Sequence, residues 1–374
     1  MNTPIESDRS AFLRWTLLTG FALGLAGVVL LRLGNPPNMG ICAACSIRDV
    51  TGALQLFSKP PALQYLRPEI PAFILGSMLA AFLFGEFRSG GGSSPALRFV
   101  LGAFMMIGAL VFLGCPIRLM ERLAGGDFLT AGVGLAGMLA GIATASFFLK
   151  KGFSLGSGRD QVGPAALFMP ILALGLAAYL FFVFFMDSDD PRGVLSTKWH
   201  APVLAAFFVA LAVGFFAQRS RFCTTGGFRD IILAGEFRLF WGYVALIITL
   251  VAGNIAMDQI WPGPVKQFDP GAAPIAHTAH LWNFLGMYLV GFCAVLLGGC
   301  PFRQLVAAGQ GNTDAGLTVM GLVMGAAFCH NFDLAAKPDS ADVLGGPSTA
   351  GMVAVVLGIT VCFALGAFCR NKQA

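Results

Sequence analysis

A strongly apolar run ends in Gly34-Asn-Pro-Pro-Asn-Met-Gly-Ile-Cys42-Ala-Ala-Cys45-Ser-Ile-Arg48-Asp49, and that ending leaves this chain few folds. Gly34, Pro36, Pro37 and Gly40 rule out a continuous helix, since proline lacks the backbone donor and glycine is conformationally too free. Broken backbone at membrane depth survives only where protein or a water-filled cavity surrounds it. A second copy, Arg221-Phe-Cys223-Thr-Thr-Gly-Gly-Phe-Arg229-Asp230, lies downstream. In both copies Arg-Asp begins six positions after the cysteine, counting from Cys42 to Arg48 and from Cys223 to Arg229.

The chain is 56% hydrophobic and 11% charged over 374 residues, against roughly 25% charged in soluble domains. The expected fold class is therefore an all-α polytopic membrane protein. The net charge of +5 is spread over short loops and gives nucleic acid nothing to bind. A bilayer core needs about 20 apolar residues per helix. About ten spans are predicted, over 11–33, 69–85, 97–114, 128–149 and 164–186, then 201–217, 239–257, 281–299, 315–328 and 349–368. The weakest is 315–328, which is short and glycine-rich. The first run exceeds the core of about 7–15 residues in a signal peptide, so it reads as a retained span.

Loop charge suggests orientation. With the N-terminus in the cytoplasm, the loops holding Arg88, Lys150 and Lys151, then Arg219, Arg221, Arg229 and Arg238, fall inside, as do Arg370 and Lys372. The loops holding Asp187, Asp189 and Asp190, then Asp258 and Asp269, then Asp333, Asp339 and Asp342, fall outside, as the positive-inside rule asks. One outward segment objects, with Arg32, Arg48, Lys59 and Arg67. Either the span count is wrong there or those charges do a job that overrides the rule.

Five predicted spans separate the two Cys–Arg-Asp segments, so the second copy is inverted. A further pair, Gly114-Cys115-Pro116-Ile-Arg118 and Gly299-Cys300-Pro301-Phe-Arg303, supports a duplication. The expected organisation is a first membrane repeat over 1–160 with a fifth span in 161–190, and an inverted repeat over 191–374. Together they form one integral membrane domain. The stretch 150–163 is a candidate linker. Broken helices at matching positions of inverted repeats are a transporter architecture, with the site where the repeats meet.

In Gly-Cys-Pro-x-Arg the proline favours the first helical position, which puts Cys115 and Cys300 at caps, beside exposed N–H groups and the positive end of the dipole. A cysteine there gains thiolate character, and Arg118 and Arg303 follow one turn later. Cys42, Cys115, Cys223 and Cys300, with Cys45, Arg48, Arg118, Arg229 and Arg303, are the candidate substrate-pathway residues. Asp49 and Asp230 are expected to brace them. Adjacent side chains on a helix do not face each other, so each aspartate is expected to reach a partner other than its neighbouring arginine. Pro116 and Pro301 set geometry.

Cys42-Ala-Ala-Cys45 also has the spacing of a redox or metal pair. Zinc would need two more ligands, and no histidine is suitably grouped; His277 and His280 read as a solvated loop pair. Gly226 stands where Cys45 would repeat, so a dithiol is not part of the duplicated design. No metal or other cofactor is expected. Soft sulfur suits a soft solute, and arginines make it an anion: thiosulfate, sulfide, polysulfide or a selenium analogue. Copper(I) would be repelled. No intramembrane carboxylate array marks a proton relay, which favours facilitated movement. The competing reading is a membrane thiol or persulfide-transfer protein attacking through Cys42 and Cys45.

With Gly34 to Cys45, Tyr65-Leu-Arg67-Pro-Glu69, Gly114-Cys115-Pro116-x-Arg118, Cys223 with Arg229-Asp230, and Gly299-Cys300-Pro301-x-Arg303-Gln304, the sequence resembles the YeeE/YedE family of membrane proteins, and within it the YedE-type selenium transporters. The resemblance implies an hourglass-like central pore with Cys42, Cys115, Cys223 and Cys300 at its waist, relaying an anion through transient thiol contacts. It implies a transporter rather than an enzyme, in the bacterial inner membrane among lipid; the cytoplasmic termini are expected from loop charge. It also implies import of a selenium- or sulfur-containing anion, or alternatively of thiosulfate, and a TusA-like sulfur carrier as cytoplasmic partner. Cys45 is the departure from the pattern.

Overall fold

The computed structural model describes residues 4–156, 158–186, 200–262 and 266–369. Among them are fourteen α-helices. The first seven are α1 (Pro4–Arg32), α2 (Ala43–Ala53), α3 (Glu69–Leu83), α4 (Pro95–Phe112), α5 (Pro116–Gly125), α6 (Phe128–Lys150) and α7 (Phe168–Met186). The next seven are α8 (Val203–Ser220), α9 (Thr224–Ala234), α10 (Arg238–Ile260), α11 (His280–Leu297), α12 (Pro301–Gly309), α13 (Thr313–Asn331) and α14 (Thr349–Phe368). The strands β1 (Gly90–Gly91) and β2 (Arg159–Asp160) form one antiparallel two-residue pair.

Each of the ten predicted spans is a helix, and eight segments are long and apolar enough to cross a membrane. The protein is a multi-pass helical membrane protein. The shorter α3, of 15 residues, and α13 stand outside those eight. α13 owes its place to close approach: a Cβ at Gly321 would stand 2.2 Å from the Phe99 carbonyl of α4, the small-residue contact that membrane helices use where hydropathy drives no association. The stretch 150–163 connects α6 to α7 and carries β2. The expected repeat boundary at 190 lies outside the described residues, as do Asp187, Asp189, Asp190, Arg370 and Lys372.

Packing between the two sets of seven is reciprocal. α1 lies along α10 as α8 lies along α3, α4 pairs with α13 as α11 pairs with α6, and α12 rests on α3 as α5 rests on α10. The four short helices, α2, α5, α9 and α12, run nine to eleven residues each. α2 touches α12 and α5 touches α9.

A helix that stops inside the protein leaves its last carbonyls without partners, and side chains supply them. α4 ends at Leu113, in the left-handed region at φ +64°. His277 Nε2 lies 2.8 Å from the Val111 carbonyl, Arg122 Nη1 donates to Phe112 O at 3.0 Å, and Arg118 Nη1 donates to Leu113 O. At the matching break, where α11 gives way to α12, Gln304 Nε2 donates to Leu297 O (3.3 Å) and Gly299 O (3.1 Å), and Arg98 Nη1 to Leu297 O (3.2 Å). His277 is fully buried, which corrects the expectation of a solvated His277–His280 pair: a carbonyl at a broken helix end needs a donor more than the loop needs a charge. His277→Ala is expected to lower stability by about 1–3 kcal/mol, the cost of one orphaned buried acceptor. A melting temperature in detergent unchanged from the parent would contradict this.

Candidate functional site

Each short helix begins on one of the four predicted cysteines. Cys42 caps α2 from an extended backbone (φ −137°, ψ 104°), its sulfur accepting the Cys45 N–H at 3.3 Å; Cys223 caps α9 in the same way, accepting the Gly226 N–H at 3.3 Å. Sulfur thus stands where Ser, Thr or Asp usually caps. Cys115 and Cys300 precede Pro116 and Pro301, which occupy the first helical position where no donor is missed. Their own backbone N–H groups point at the other thiols: Cys115 N to Cys42 Sγ at 3.5 Å, and Cys300 N to Cys223 Sγ at 3.4 Å. All four thiols are free and buried. The sulfur contacts link α2 to α5 and α9 to α12, and helix packing links α2 to α12 and α5 to α9, so the four short helices close a ring.

The Cys42–Cys115 end is filled with paired charge. Arg48 Nη2 reaches Asp49 Oδ1 at 2.7 Å, and Arg67 Nε reaches Asp49 Oδ2 at 2.8 Å. Arg229 likewise pairs with Asp230 at 2.7 Å. These pairs correct the expectation that Arg and Asp would look to different partners. At both copies the Arg side chain folds onto the adjacent carboxylate, at the first with almost no solvent as an alternative partner and at the second with both side chains 26% exposed. Arg67 also contacts Glu69 Oε1 at 3.7 Å and Asn35 Oδ1 at 3.3 Å. Three of the four cations that broke the loop-charge pattern are therefore neutralised, since Arg32 pairs with Asp258 at 3.0 Å. Tyr65 stacks on His200 with ring centroids 3.6 Å apart, and burial together with the Arg67 charge pushes His200 down to about 3, leaving it neutral at physiological pH.

Arg118 is committed to structure at this end. Nε donates to Asn38 O (3.0 Å), Nη2 to Ile275 O (3.3 Å), and Nη1 to Leu113 O and Cys45 Sγ (3.6 Å). Arg118 thus touches Cys45, the thiol that has no second copy.

The Cys223–Cys300 end is open. A cavity of about 440 Å³ is bordered by Cys223, Arg221, Arg229, Arg238 and Arg303, with Asp230 and Glu236. A neighbouring one of about 320 Å³ shares Arg221 and Arg303. Arg229 and Arg238 pair with Asp230 and Glu236. Arg303 bonds Gln310 Oε1 at 3.2 Å while its Nη1 has no partner. The two arginines of the Cys-Pro-x-Arg motifs thus differ, one closed over backbone and one facing space.

Every predicted site residue falls on this ring or beside it. The motif reading missed Glu121 and Arg122, both buried on α5, the latter paired with Asp127 at 2.8 Å. Three charges in Arg118-Leu-Met-Glu121-Arg122, in a run otherwise apolar, were the available signal.

A multi-pass membrane protein with a ring of four half-helices, each beginning on a cysteine, is the class this fold and site define. Residues 219–371 match the family described as sulphur transport. Over 109 residues the chain is 31% identical to the thiosulfate transporter TsuA of Escherichia coli (strain K12). The matched stretch covers 29% of this chain and spans 29% of the length of that relative. The similarity to the sulphur-transport family thus covers residues 219–371, less than half of the chain.

Proposed function

We propose that this chain imports a reduced chalcogen anion across the bacterial inner membrane, passing it along Cys42, Cys115, Cys300 and Cys223. The observation that carries this reading is the pairing of those four thiols on four short helices, with Cys223 bordering an arginine-lined cavity. Soft sulfur holds a polarizable anion, and the N-termini of the four short helices add positive potential. Each contact is weak, as passage over several sites requires. The reciprocal packing supports two inverted repeats, 1–160 with 161–190 and 191–374. Loop charge supports cytoplasmic termini, with the Cys42 end outward and the open arginine cavity toward the cytoplasm. There a TusA-like carrier could collect the product. The sulphur-transport family and the thiosulfate-transporting relative make thiosulfate the first substrate to test. Thiol chemistry accommodates the selenium analogue equally.

Uptake of radiolabelled thiosulfate, with selenium oxyanions and selenosulfate as competitors, tests both levels. Cys115→Ala and Cys300→Ala are each expected to abolish uptake while expression holds. Normal uptake by both variants would remove the thiol path, and the competition profile decides between sulfur and selenium.

A further inference from the structure

Glu121 is a carboxylate on α5, 1% exposed, two turns from Cys115. Its Oε1 accepts the backbone N–H of Ile41, the residue before Cys42, at 2.7 Å. Its Oε2 is buried and has no hydrogen bond of good geometry, although the Gly40 N–H also acts on this carboxylate. α1 closes over it, since a Cβ at Gly27 would stand 2.9 Å from Oε1. No ion pair with Glu121 occurs among the described residues. The charged and titratable neighbours acting on it are Arg118 on its own helix and Cys45 on α2. Arg118 is occupied with three carbonyls and Cys45. Arg122 is taken by Asp127 at the start of α6, Arg229 and Asp230 of α9 pair with each other, and α10 presents Leu250.

The second copy carries no such acid, and there the N–H of Phe222, the residue before Cys223, is taken by the Ala217 carbonyl instead. Six residues beyond Cys115 stands Glu121; six beyond Cys300 stands Val306, equally buried. A charge buried without a counter-charge is costly, and an ionisable group at membrane depth marks function more often than scaffold. An anion at Cys42 and Cys45 would repel an ionised Glu121 across the single residue that joins them.

We propose that Glu121 is a proton-binding site coupled to the anion at Cys42 and Cys45, so that a proton taken from the outer solution enters with each anion and leaves to the cytoplasm. The step forms an O–H bond on Oε2 and breaks it on release; no electron moves. This rests on the thiol path proposed above. It replaces the expectation of facilitated movement drawn from the lack of a carboxylate array, because one carboxylate suffices when it adjoins the thiols.

The test uses the full chain in proteoliposomes at clamped membrane potential, with labelled thiosulfate outside and a trapped pH dye inside. Thiosulfate influx by the parent should acidify the lumen, and its rate should rise as external pH falls. In Glu121→Gln the proton-to-anion ratio should fall to that of protein-free vesicles and the pH dependence should flatten. Influx without acidification by the parent, or an unaltered ratio in the variant, overturns the proposal. No thiosulfate influx by the parent overturns the transport reading instead. An infrared difference spectrum between acid and neutral pH gives a readout independent of transport. A protonated-carboxyl band lost in both Glu121→Gln and Glu121→Val supports the site, and one retained in both overturns it.

Discussion

Asp49→Ala is expected to lower stability by about 3–5 kcal/mol, because it strands the buried Arg48 guanidinium and leaves Arg67 with only the longer contacts to Glu69 and Asn35. Arg48 and Arg67 share Asp49 at 2.7 and 2.8 Å, and the Arg67 and Asp49 side chains are each only 2% exposed. The equivalent change in the second copy should be mild. Arg229 and Asp230 are each 26% exposed, and a half-solvated ion pair contributes about 0–1 kcal/mol. Denaturant titration in micelles compares the two variants directly. Equal losses would mean that the two ends of the ring are equally wet, contrary to the burial described here.

A second contrast separates scaffold from pathway. Arg118→Gln withdraws donors from the carbonyls of Asn38, Leu113 and Ile275. Each orphaned buried acceptor costs about 1–3 kcal/mol, so a loss of at least about 2 kcal/mol is expected even if glutamine keeps one bond. Arg303→Gln removes one bond to Gln310 from a side chain that borders both cavities. Its stability should stay within about 1 kcal/mol of the parent, as for a single modest hydrogen bond. Thiosulfate uptake should nevertheless fall roughly tenfold, equivalent to about 1.4 kcal/mol of lost attraction for the anion. Unchanged uptake in a well-folded Arg303→Gln protein would take the cavity off the anion's route.

Much of this arrangement was legible in the chain because its signals are local. Apolar length marks the helices. A proline after a cysteine marks a new helix start at Cys115 and Cys300, and the glycine–proline cluster before Cys42 marks a break. The partners of the charges were not legible, since those depend on residues far apart in sequence. Arg67 meets Asp49 across 18 residues, His277 meets Val111 across 166, and Arg118 meets Ile275 across 157. The rule that adjacent side chains do not face each other failed at both Arg48–Asp49 and Arg229–Asp230, because it concerns where the Cβ atoms point, and a side chain as long as arginine folds onto its neighbour's carboxylate.

By itself the sequence determined the class of protein, the positions of the four half-helices and the thiols that begin them, because turn chemistry and hydropathy act within a few residues. Only the tertiary structure decided which thiols pair, that Arg118 closes over backbone while Arg303 faces a cavity, and that Glu121 stands unpaired. Two motifs written nearly alike were brought to opposite ends of the ring, one buried among paired charges and the other bordering a cavity. In a low-dielectric interior, where each buried donor and charge finds its partner decides what its residue can do.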